Sequence, residues 1–282
     1  MLIVSASGSI ALARRVADRI GARMVEVNVK RFPDGEIYIR AEKPLNEEIV
    51  LIGNSYPNDS LVELLLLQDL IYDLTGKRDF YTVIPYFGYG RQDRRFLNGE
   101  CVSSKACADL LELKCGRIIT INLHKDAIRD YFKKAAIHNL VPSRELSELS
   151  RDTDIVVSPD EGSFYLAESV AREIGVDCAH FDKKRVNDRE VESSIESDVE
   201  GKKVLIVDDI ISTGTTIINA SRILKNRGAA GVEVACVHGL FAEGAAERIK
   251  KECISLNASD TIESCYTNYS VSESIAKKIK EG

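Results

Sequence analysis

Short runs of apolar and β-branched residues alternate along the chain with longer stretches in which apolar residues recur every three or four positions. The short runs are typical of buried strands, and the longer stretches are typical of amphipathic helices. In the first half of the chain, strands are predicted at residues 2–5, 24–29, 36–41, 49–53, 79–84 and 117–123. The helices predicted between them cover residues 9–20, 60–74 and 102–113.

The same alternation starts again in the second half of the chain. Strands are predicted at residues 155–158, 178–181, 203–207 and 232–237, and helices at residues 162–174, 215–225 and 242–251. A last helix is predicted to end at Ile279 and to begin with a capping box formed by Ser270 and Glu273. Strands that alternate with helices in this way predict the α/β class, with mainly parallel sheets flanked by helices.

Two domains are expected from the length of 282 residues, because a domain usually takes roughly 100–200 residues. The pattern restarts near residues 138–143, where Pro142 and Ser143 can begin a helix. We therefore predict a first domain over residues 1–139 and a second domain over residues 140–270.

Composition narrows the class of protein. Hydrophobic residues make up 44% and charged residues 29% of the chain, which is ordinary for a globular protein. The net charge of −6 disfavours nucleic acid as a partner. No apolar run approaches the roughly 20 residues that a membrane span needs, and no signal peptide is visible, so no membrane partner is expected. The seven cysteines form no CxxC pair, and free thiols in the cytoplasm are the simplest interpretation.

The most informative segment runs from Val204 to Thr216. A buried strand is predicted to end there in two carboxylates, Asp208 and Asp209, before a short turn and the start of a helix. The backbone N–H groups of such a turn can cradle a phosphate monoester. The residues of the turn and the helix start are Ser212, Thr213, Gly214, Thr215 and Thr216. Because the two carboxylates are spaced to accept hydrogen bonds from vicinal hydroxyls, the segment predicts a ribose 5-phosphate site, with an ordinary capped turn as the alternative.

A hairpin and a basic loop provide further candidates. Phe32, Asp34 and Glu36 flank a Pro-Asp-Gly turn, which is also typical of an ordinary hairpin. Residues 77–105 carry six cations against three anions, and Arg91 among them can stack on a base or grip a phosphate. A solvated basic loop is the alternative interpretation of that segment.

Polar residues also follow predicted strands, at the sheet edge where α/β proteins bind ligands. His124 and Asp160 each lie just past a predicted strand. Lys183 and Arg185 lie just past another, and alternate residues point the same way if the chain stays extended. A structural histidine and a solvated basic loop are the alternatives.

The segment from Val204 to Thr216 resembles the phosphoribosyl pyrophosphate loop of type I phosphoribosyltransferases. Five further segments resemble motifs of the ribose-phosphate diphosphokinase family, in the family's order. They are residues 31–36, 85–95, 122–124, 157–162 and 182–185. The resemblance covers nearly the whole chain and implies two tandem type I phosphoribosyltransferase-like domains. It also implies that the last helix, over residues 271–282, packs back on the first domain.

The resemblance implies that Mg–ATP donates its β,γ-diphosphoryl group to the 1-hydroxyl of ribose 5-phosphate. The ATP-binding residues implied are Phe32, Asp34, Glu36, Arg91, Gln92, Asp93 and His124, with Phe32 stacked on adenine. The residues implied for ribose 5-phosphate are Asp160, Asp208, Asp209, Ser212, Thr213, Gly214, Thr215 and Thr216. Lys183 and Arg185 would be catalytic, and His124 and Asp160 would help to hold Mg²⁺, partly through water.

Several positions depart from the family pattern. Asn122 stands where an aspartate is usual, and Glu161 and Ser163 alter a loop that is usually richer in glycine. These traits are similar to those of archaeal members, and a homodimer is the expected assembly. Two alternative functions stay open: a nucleobase phosphoribosyltransferase, which leaves residues 31–36 and 91–93 unexplained, and a non-catalytic regulator of a synthetase.

Overall fold

The chain divides into two structural units. The computed structural model describes residues 1–149, 152–185 and 191–282, and of residues 183–185 and 191–193 it describes the backbone alone. The first unit consists of Met1–Leu140, Thr261–Glu263 and Ser270–Gly282, and the second consists of Val141–Asp260 and Ser264–Tyr269. None of the helices in the described ranges combines the length and the apolarity that crossing a membrane requires.

A parallel sheet is the centre of the first unit. The strands of this unit are β1 (Leu2–Ser5), β2 (Arg23–Val25), β3 (Val27–Arg31), β4 (Ile37–Ala41), β5 (Ile49–Ile52), β6 (Tyr81–Ile84), β7 (Arg117–Ile121) and β8 (Ala136–Leu140). Its helices are α1 (Ile10–Ile20), α2 (Asn58–Thr75) and α3 (Ser103–Leu111), with 3-10 helices at Ser7–Ser9 and Asp126–Tyr131. Six strands pair in parallel in the order β2-β1-β5-β6-β7-β8, and β3 and β4 form an antiparallel hairpin.

Apolar strands place this sheet in the core of the first unit. Every residue of β5 and β6 is buried, as expected for parallel strands that are covered on both faces. Leu64, Leu67 and Ile71 of α2 are fully buried in the same core. Helix α2 ends at Gly76, whose left-handed backbone (φ 66°) lets its N–H donate to the carbonyl of Tyr72.

The second unit is built on the same plan. Its strands are β9 (Ile155–Ser158), β10 (Asp177–His180), β11 (Asp182–Arg185), β12 (Val191–Ser194), β13 (Lys203–Ile211), β14 (Gly231–Gly239), β15 (Ser255–Ser259) and β16 (Thr267–Tyr269). Its helices are α4 (Ser143–Ser147), α5 (Phe164–Ile174), α6 (Thr215–Asn226) and α7 (Ala245–Lys250), with 3-10 helices at Glu161–Ser163 and Ala242–Gly244. Six strands pair in parallel in the order β10-β9-β13-β14-β15-β16, and β11 pairs with β12 in antiparallel fashion.

The two central strands of this second sheet, β13 and β14, are long, and their length determines where the following loops begin. Strands β13 and β14 run side by side, from Lys203 beside Gly231 to Ile211 beside Gly239. Val204 of β13 joins residues of α6 in the core of the unit. The end of β13 therefore fixes the start of the turn that leads into α6.

Helix α8 (Ser272–Glu281) belongs to the first unit although it follows the second unit along the chain. It packs on α1 and buries Ile275 and Ile279. Nε of Arg19 donates to the hydroxyl of Ser272 over 2.9 Å, and Nζ of Lys280 donates to the carbonyl of Arg19 over 2.9 Å. Apolar packing and hydrogen bonds therefore join the two ends of the described chain.

These sheets confirm the predicted α/β class with mainly parallel sheets flanked by helices. The strand predicted over residues 24–29 is two strands, because β2 pairs with β1 whereas β3 pairs with β4. The predicted capping box is wrong. The hydroxyl of Ser270 instead accepts the N–H of Ser272 over 3.1 Å, and the carboxylate of Glu273 lies 3.5 Å from Nη1 of Arg19.

Candidate active site

The turn between β13 and α6 is the predicted phosphate loop. It consists of Ser212, Thr213 and Gly214, and α6 begins at Thr215. Gly214 has a left-handed backbone (φ 74°), which residues with a side chain rarely adopt. Because the N-cap residue is Gly214, it offers no side-chain acceptor to the first N–H groups of α6. The first N–H groups of a helix have no partner inside the helix, so here they are available to a phosphate.

Helix α7 packs directly behind this turn. A Cβ atom at Gly214 would lie 2.9 Å from Cδ1 of Ile249 and 3.2 Å from Cβ of Ala245. The first distance is shorter than Cβ contacts in real proteins. The backbone angle therefore favours glycine at this position, and a larger residue would also have to displace the end of the Ile249 side chain.

Asp208 and Asp209 lie inside β13, which corrects the predicted strand end at residue 207. The strand is longer because it continues to pair with β14 as far as Ile211. The N–H of Asp209 donates to Oδ1 of Asp208 over 2.9 Å, and the N–H of Ile210 donates to Oδ1 of Asp209 over 2.8 Å. Both carboxylates thus accept backbone hydrogen bonds just before the phosphate loop.

The negative charges of this strand end are crowded. Burial raises the pKa of Asp208 well above its usual value, and the carboxylates of Asp209 and Asp160 raise it further. A hydrogen bond with the side chain of Ser163 acts in the opposite direction. Such a cluster favours ligands that donate hydrogen bonds or carry positive charge, such as vicinal hydroxyls or a divalent cation.

Asp160 begins a 3-10 helix and caps it. Its Oδ1 accepts the N–H groups of Gly162 over 3.0 Å and of Ser163 over 3.4 Å. The hydroxyl of Ser158 donates to the carbonyl of Asp160 over 2.5 Å and lies 2.9 Å from the hydroxyl of Ser163. The second unit therefore brings Asp160, which follows β9, into the same polar cluster as Asp208, which lies within β13.

In the first unit, the β3–β4 hairpin carries Phe32, Asp34 and Glu36 at its turn. The ring of Phe32 is 49% exposed and meets Tyr38 edge-on, with ring centres 6.0 Å apart. Oδ1 of Asp34 accepts the N–H of Glu36 over 3.1 Å, so this carboxylate helps to shape the turn. Phe32 leaves a ring surface on which a flat ligand group can stack.

Hydrogen bonds from side chains of the basic loop stabilise the conformation of the loop. Nε2 of Gln92 donates to the carbonyl of Arg94 over 3.1 Å and to Oε2 of Glu100 over 3.2 Å. The hydroxyl of Tyr131 donates to the carbonyl of Asp93 over 2.6 Å. Gln92 thus contributes to the shape of the loop, whereas Arg91 is exposed to solvent.

The start of α2 links the hairpin to the basic loop. Nη2 of Arg31 lies 2.8 Å from Oδ2 of Asp59, and the hydroxyl of Tyr89 donates to Oδ1 of Asn58 over 2.5 Å. Sequence reasoning misses Asn58 and Asp59, because only the folded chain brings them to both segments. Their single local signal is that polar residues of this kind often open a helix.

His124 follows β7 and is partly buried. Asn122, just before it, is fully buried and has a left-handed backbone (φ 46°), which asparagine tolerates better than most residues. The N–H of Asn122 donates to the carbonyl of Leu140 over 2.7 Å, and the N–H of Leu123 donates to Oδ1 of Asn139 over 2.9 Å. Hydrogen bonds to β8 therefore fix the backbone that leads from β7 to His124.

Lys183 and Arg185 lie on β11, opposite Ser193 and Val191 of β12. The backbone is extended at both positions. Their side chains lie outside the described residues, so the cationic pair stays a prediction.

Among the described residues, no group of three or more histidine, cysteine, aspartate or glutamate side chains could hold a metal ion. A magnesium ion that arrives with a nucleotide needs few protein ligands, because Mg²⁺ keeps several of its waters. The carboxylate oxygens of the second unit are of the type that Mg²⁺ prefers, and the crowded charge around Asp208 is compatible with a nearby cation.

The parallel sheets and the phosphate loop define a phosphoribosyltransferase-like protein. A family model described as phosphoribosyl transferase domain matches residues 127–267. A second, described as the N-terminal domain of ribose phosphate pyrophosphokinase, matches residues 1–115.

Curated relatives extend over the whole chain. Ribose-phosphate pyrophosphokinase of Methanothermobacter thermautotrophicus is 38% identical, over 99% of this chain and 100% of the relative. Ribose-phosphate pyrophosphokinase 2 of Archaeoglobus fulgidus is 37% identical over the same shares. The crystal structure of phosphoribosylpyrophosphate synthetase from Mycobacterium smegmatis matches with a TM-score of 0.87 and 26% identity, over 99% of this chain and 97% of that one. The chain belongs to the ribose-phosphate pyrophosphokinase family, which confirms the resemblance seen in its motifs.

Proposed function

We propose that this protein transfers the diphosphoryl group of Mg–ATP to the 1-hydroxyl of ribose 5-phosphate, which yields 5-phosphoribosyl 1-pyrophosphate and AMP. The shared name of the relatives states a ribose-phosphate pyrophosphokinase activity for them. In this chain, the observation that carries the proposal is the start of α6 at the glycine-capped turn, which follows the adjacent carboxylates of Asp208 and Asp209 on β13. Ribose 5-phosphate offers the phosphate and the vicinal hydroxyls that such a site takes.

Ribose 5-phosphate binds to the second domain, over residues 140–270, in this proposal. The N–H groups and hydroxyls of Ser212, Thr213, Gly214, Thr215 and Thr216 hold the 5-phosphate. Asp208 and Asp209 accept hydrogen bonds from the ribose hydroxyls. Asp160 adds its carboxylate from the neighbouring loop.

ATP binds to the first domain, over residues 1–139 with the helix of residues 271–282. Phe32 stacks on adenine, and its exposed ring supports this role. The other residues proposed to contact the nucleotide are Asp34, Glu36, Arg91, Gln92, Asp93 and His124. The link that α2 makes to both the hairpin and the basic loop supports a shared role for these two segments.

Magnesium enters with ATP as part of the substrate, and His124 and Asp160 are proposed to help hold it, partly through water. The anomeric hydroxyl attacks the β-phosphorus and releases its proton to solvent, the bond between the β-phosphorus and the oxygen that bridges it to the α-phosphorus breaks, and AMP leaves with that oxygen. Positioning and charge neutralisation supply most of the catalysis in such transfers. Lys183 and Arg185 stabilise the charge that develops on the transferred group.

The activity is tested by measuring AMP release from Mg–ATP with and without ribose 5-phosphate. AMP formation that depends strictly on ribose 5-phosphate is expected, and its absence would contradict the proposal. Pyrophosphate release from 5-phosphoribosyl 1-pyrophosphate that depends on an added nucleobase would instead indicate a phosphoribosyltransferase. An inactive protein that binds an active synthetase would indicate a regulator.

We also propose that the protein works as a homodimer in the cytoplasm. The dimer rests on the resemblance to the family. The compartment is supported by the cysteines, since all seven lie among the described residues and are free thiols, as is usual in a reducing environment.

A further inference from the structure

Arg248 of α7 forms hydrogen bonds with two backbone carbonyls of the second unit. Its Nη2 donates to the carbonyl of Thr213 over 2.7 Å, and its Nη1 donates to the carbonyl of Glu243 over 2.7 Å. Hydrogen bonds from a charged donor are shorter and stronger than those between neutral groups. One of the two acceptors lies in the phosphate loop, so this arginine connects α7 to the loop that it supports.

The bond to Thr213 also orients the next N–H group. The carbonyl of Thr213 and the N–H of Gly214 belong to one planar trans peptide, in which the two groups point in opposite directions. Because Arg248 holds the carbonyl towards α7, the N–H of Gly214 points away from α7. On the other side, Ile249 and Ala245 fill the space between Gly214 and α7.

The second bond attaches Arg248 to a tight bend. Phe241 and Glu243 both have a left-handed backbone, with φ angles of 45° and 56°. The ring of Phe241 lies over Gly239, where a Cβ atom would come within 2.4 Å of it, and it meets Tyr266 edge-on at 5.4 Å. Packing therefore holds this bend, and the bend gives the arginine a fixed point outside the phosphate loop.

We propose that Arg248 is a positioning residue for the 5-phosphate of ribose 5-phosphate, through the peptide between Thr213 and Gly214. This inference rests on the proposed function of the same loop. Without Arg248 the peptide can rotate, and a rotated peptide turns its carbonyl oxygen, which carries negative partial charge, towards the phosphate. Arg248 thus excludes the orientation that repels the substrate.

The test compares the full-length wild-type protein with Arg248→Met and Arg248→Lys. Arg248→Met is expected to raise the KM for ribose 5-phosphate about tenfold, the cost of one charge-assisted hydrogen bond, and to leave the KM for ATP unchanged. Arg248→Lys is expected to recover part of this loss, because one ammonium group can still donate to Thr213. The matched control is Arg222→Met on α6, since Nε of Arg222 donates to Oε1 of Glu252 over 2.9 Å rather than to a carbonyl of the phosphate loop.

The outcomes separate this inference from the proposed function. A wild-type protein that forms no AMP overturns the proposed function before any variant is made. An active wild type with an unchanged KM for ribose 5-phosphate in Arg248→Met overturns the role of Arg248 alone. A lower melting temperature with no selective change in that KM indicates a structural role and also overturns it. If Arg248→Met does not fold, the role of Arg248 is tested with Arg248→Lys instead. A KM for ribose 5-phosphate that rises while the KM for ATP stays unchanged supports the role, and an unchanged ratio of these two KM values overturns it.

Discussion

Asp208 is a residue whose proposed role in binding opposes the stability of the fold. Burial and the carboxylates of Asp209 and Asp160 raise its pKa, so its charged form is disfavoured in the folded protein. Ribose hydroxyls that donate to this carboxylate would replace the hydrogen bonds to water that burial removes. Ligand binding therefore offsets the free-energy cost of keeping this carboxylate charged in the folded protein.

Asp208→Asn is expected to be more stable than the wild type at neutral pH and to lose affinity for ribose 5-phosphate. Below the ordinary aspartate pKa of 3.8, Asp208 is protonated in both folded and unfolded chains and costs nothing. Between pH 3.8 and the raised pKa, the unfolded chain ionises this carboxyl group while the folded protein keeps it protonated, so stability falls as the pH rises through this range. Asparagine cannot ionise, so the difference in melting temperature should shrink as the pH falls towards 3.8.

Thermal melts of both proteins across the pH range measure this effect. Asp177→Asn is the matched control, because Asp177 is an exposed carboxylate at the start of β10. A difference in melting temperature that does not depend on pH would contradict the argument, as would an equal effect in the control.

Lys183→Ala is expected to lower kcat strongly while changing the KM values for ATP and ribose 5-phosphate much less. A cation that acts on the charge of the transferred group works mainly in the transition state, and removing such a group lowers kcat. Steady-state kinetics with each substrate varied in turn provides the measurement. Lys184→Ala is the neighbouring control, and unchanged turnover in Lys183→Ala would remove Lys183 from the mechanism.

Residues of the site differ in how far the sequence predicts them. Asp208 and Gly214 are predictable, because strand, carboxylates, turn and helix follow one another without interruption. Arg248 is not, since it lies 35 positions from Thr213 and its role depends on how α7 packs. Asn122 is recognised from the sequence as a departure from the family, but its left-handed backbone follows from the contact with β8.

At the scale of elements, one buried carboxylate holds the segment that leads into β8. Oε2 of Glu112 accepts the N–H groups of Lys133 over 2.7 Å, Lys134 over 2.6 Å and Ala135 over 3.3 Å. Glu112 is only 2% exposed, so these three donors replace the water that it has lost. The segment starts β8, and β8 in turn guides the chain that carries His124.

Glu112→Ala is expected to lower the free energy of unfolding by about 3 kcal/mol, because three buried N–H groups lose their acceptor. Urea denaturation, followed by circular dichroism, measures this loss. The control is Glu148→Ala, an exposed glutamate 3.9 Å from Nε of Arg144, whose removal should change stability by less than about 0.5 kcal/mol. A similar loss in both variants would show that Glu112 contributes no more than a surface carboxylate.

Elements with a strong apolar pattern are predictable, and elements held by their neighbours are not. The fully buried β5 and β6 are evident in the sequence, as are the helices that end at glycine. Strands β8, β15 and β16 are missed, because their short or polar side chains give no clear period and parallel neighbours complete their hydrogen bonds. These three strands lie towards one side of their sheets and require the structure, whereas the strands at the sheet centres do not.

At the scale of the whole molecule, the proposed assembly is a dimer. Sedimentation equilibrium at several protein concentrations is expected to give the mass of two chains, with and without inorganic phosphate. A mass of one chain or of six chains would contradict this expectation. Activity measured in the same phosphate series then shows whether phosphate activates the enzyme independently of its assembly.

The position of α8 has a consequence for how the protein folds during its synthesis on the ribosome. The first unit needs a helix that is translated after the entire second unit, so it cannot be completed first. At roughly 5–20 residues per second, the surface of α1 that receives α8 waits on the order of ten seconds for its cover. During that interval the surface of α1 that packs on α8 stays uncovered, and chaperone binding to the growing chain is expected at this stage. A fragment that stops at Leu140 keeps that face uncovered permanently, so the first unit is a poor candidate for expression by itself.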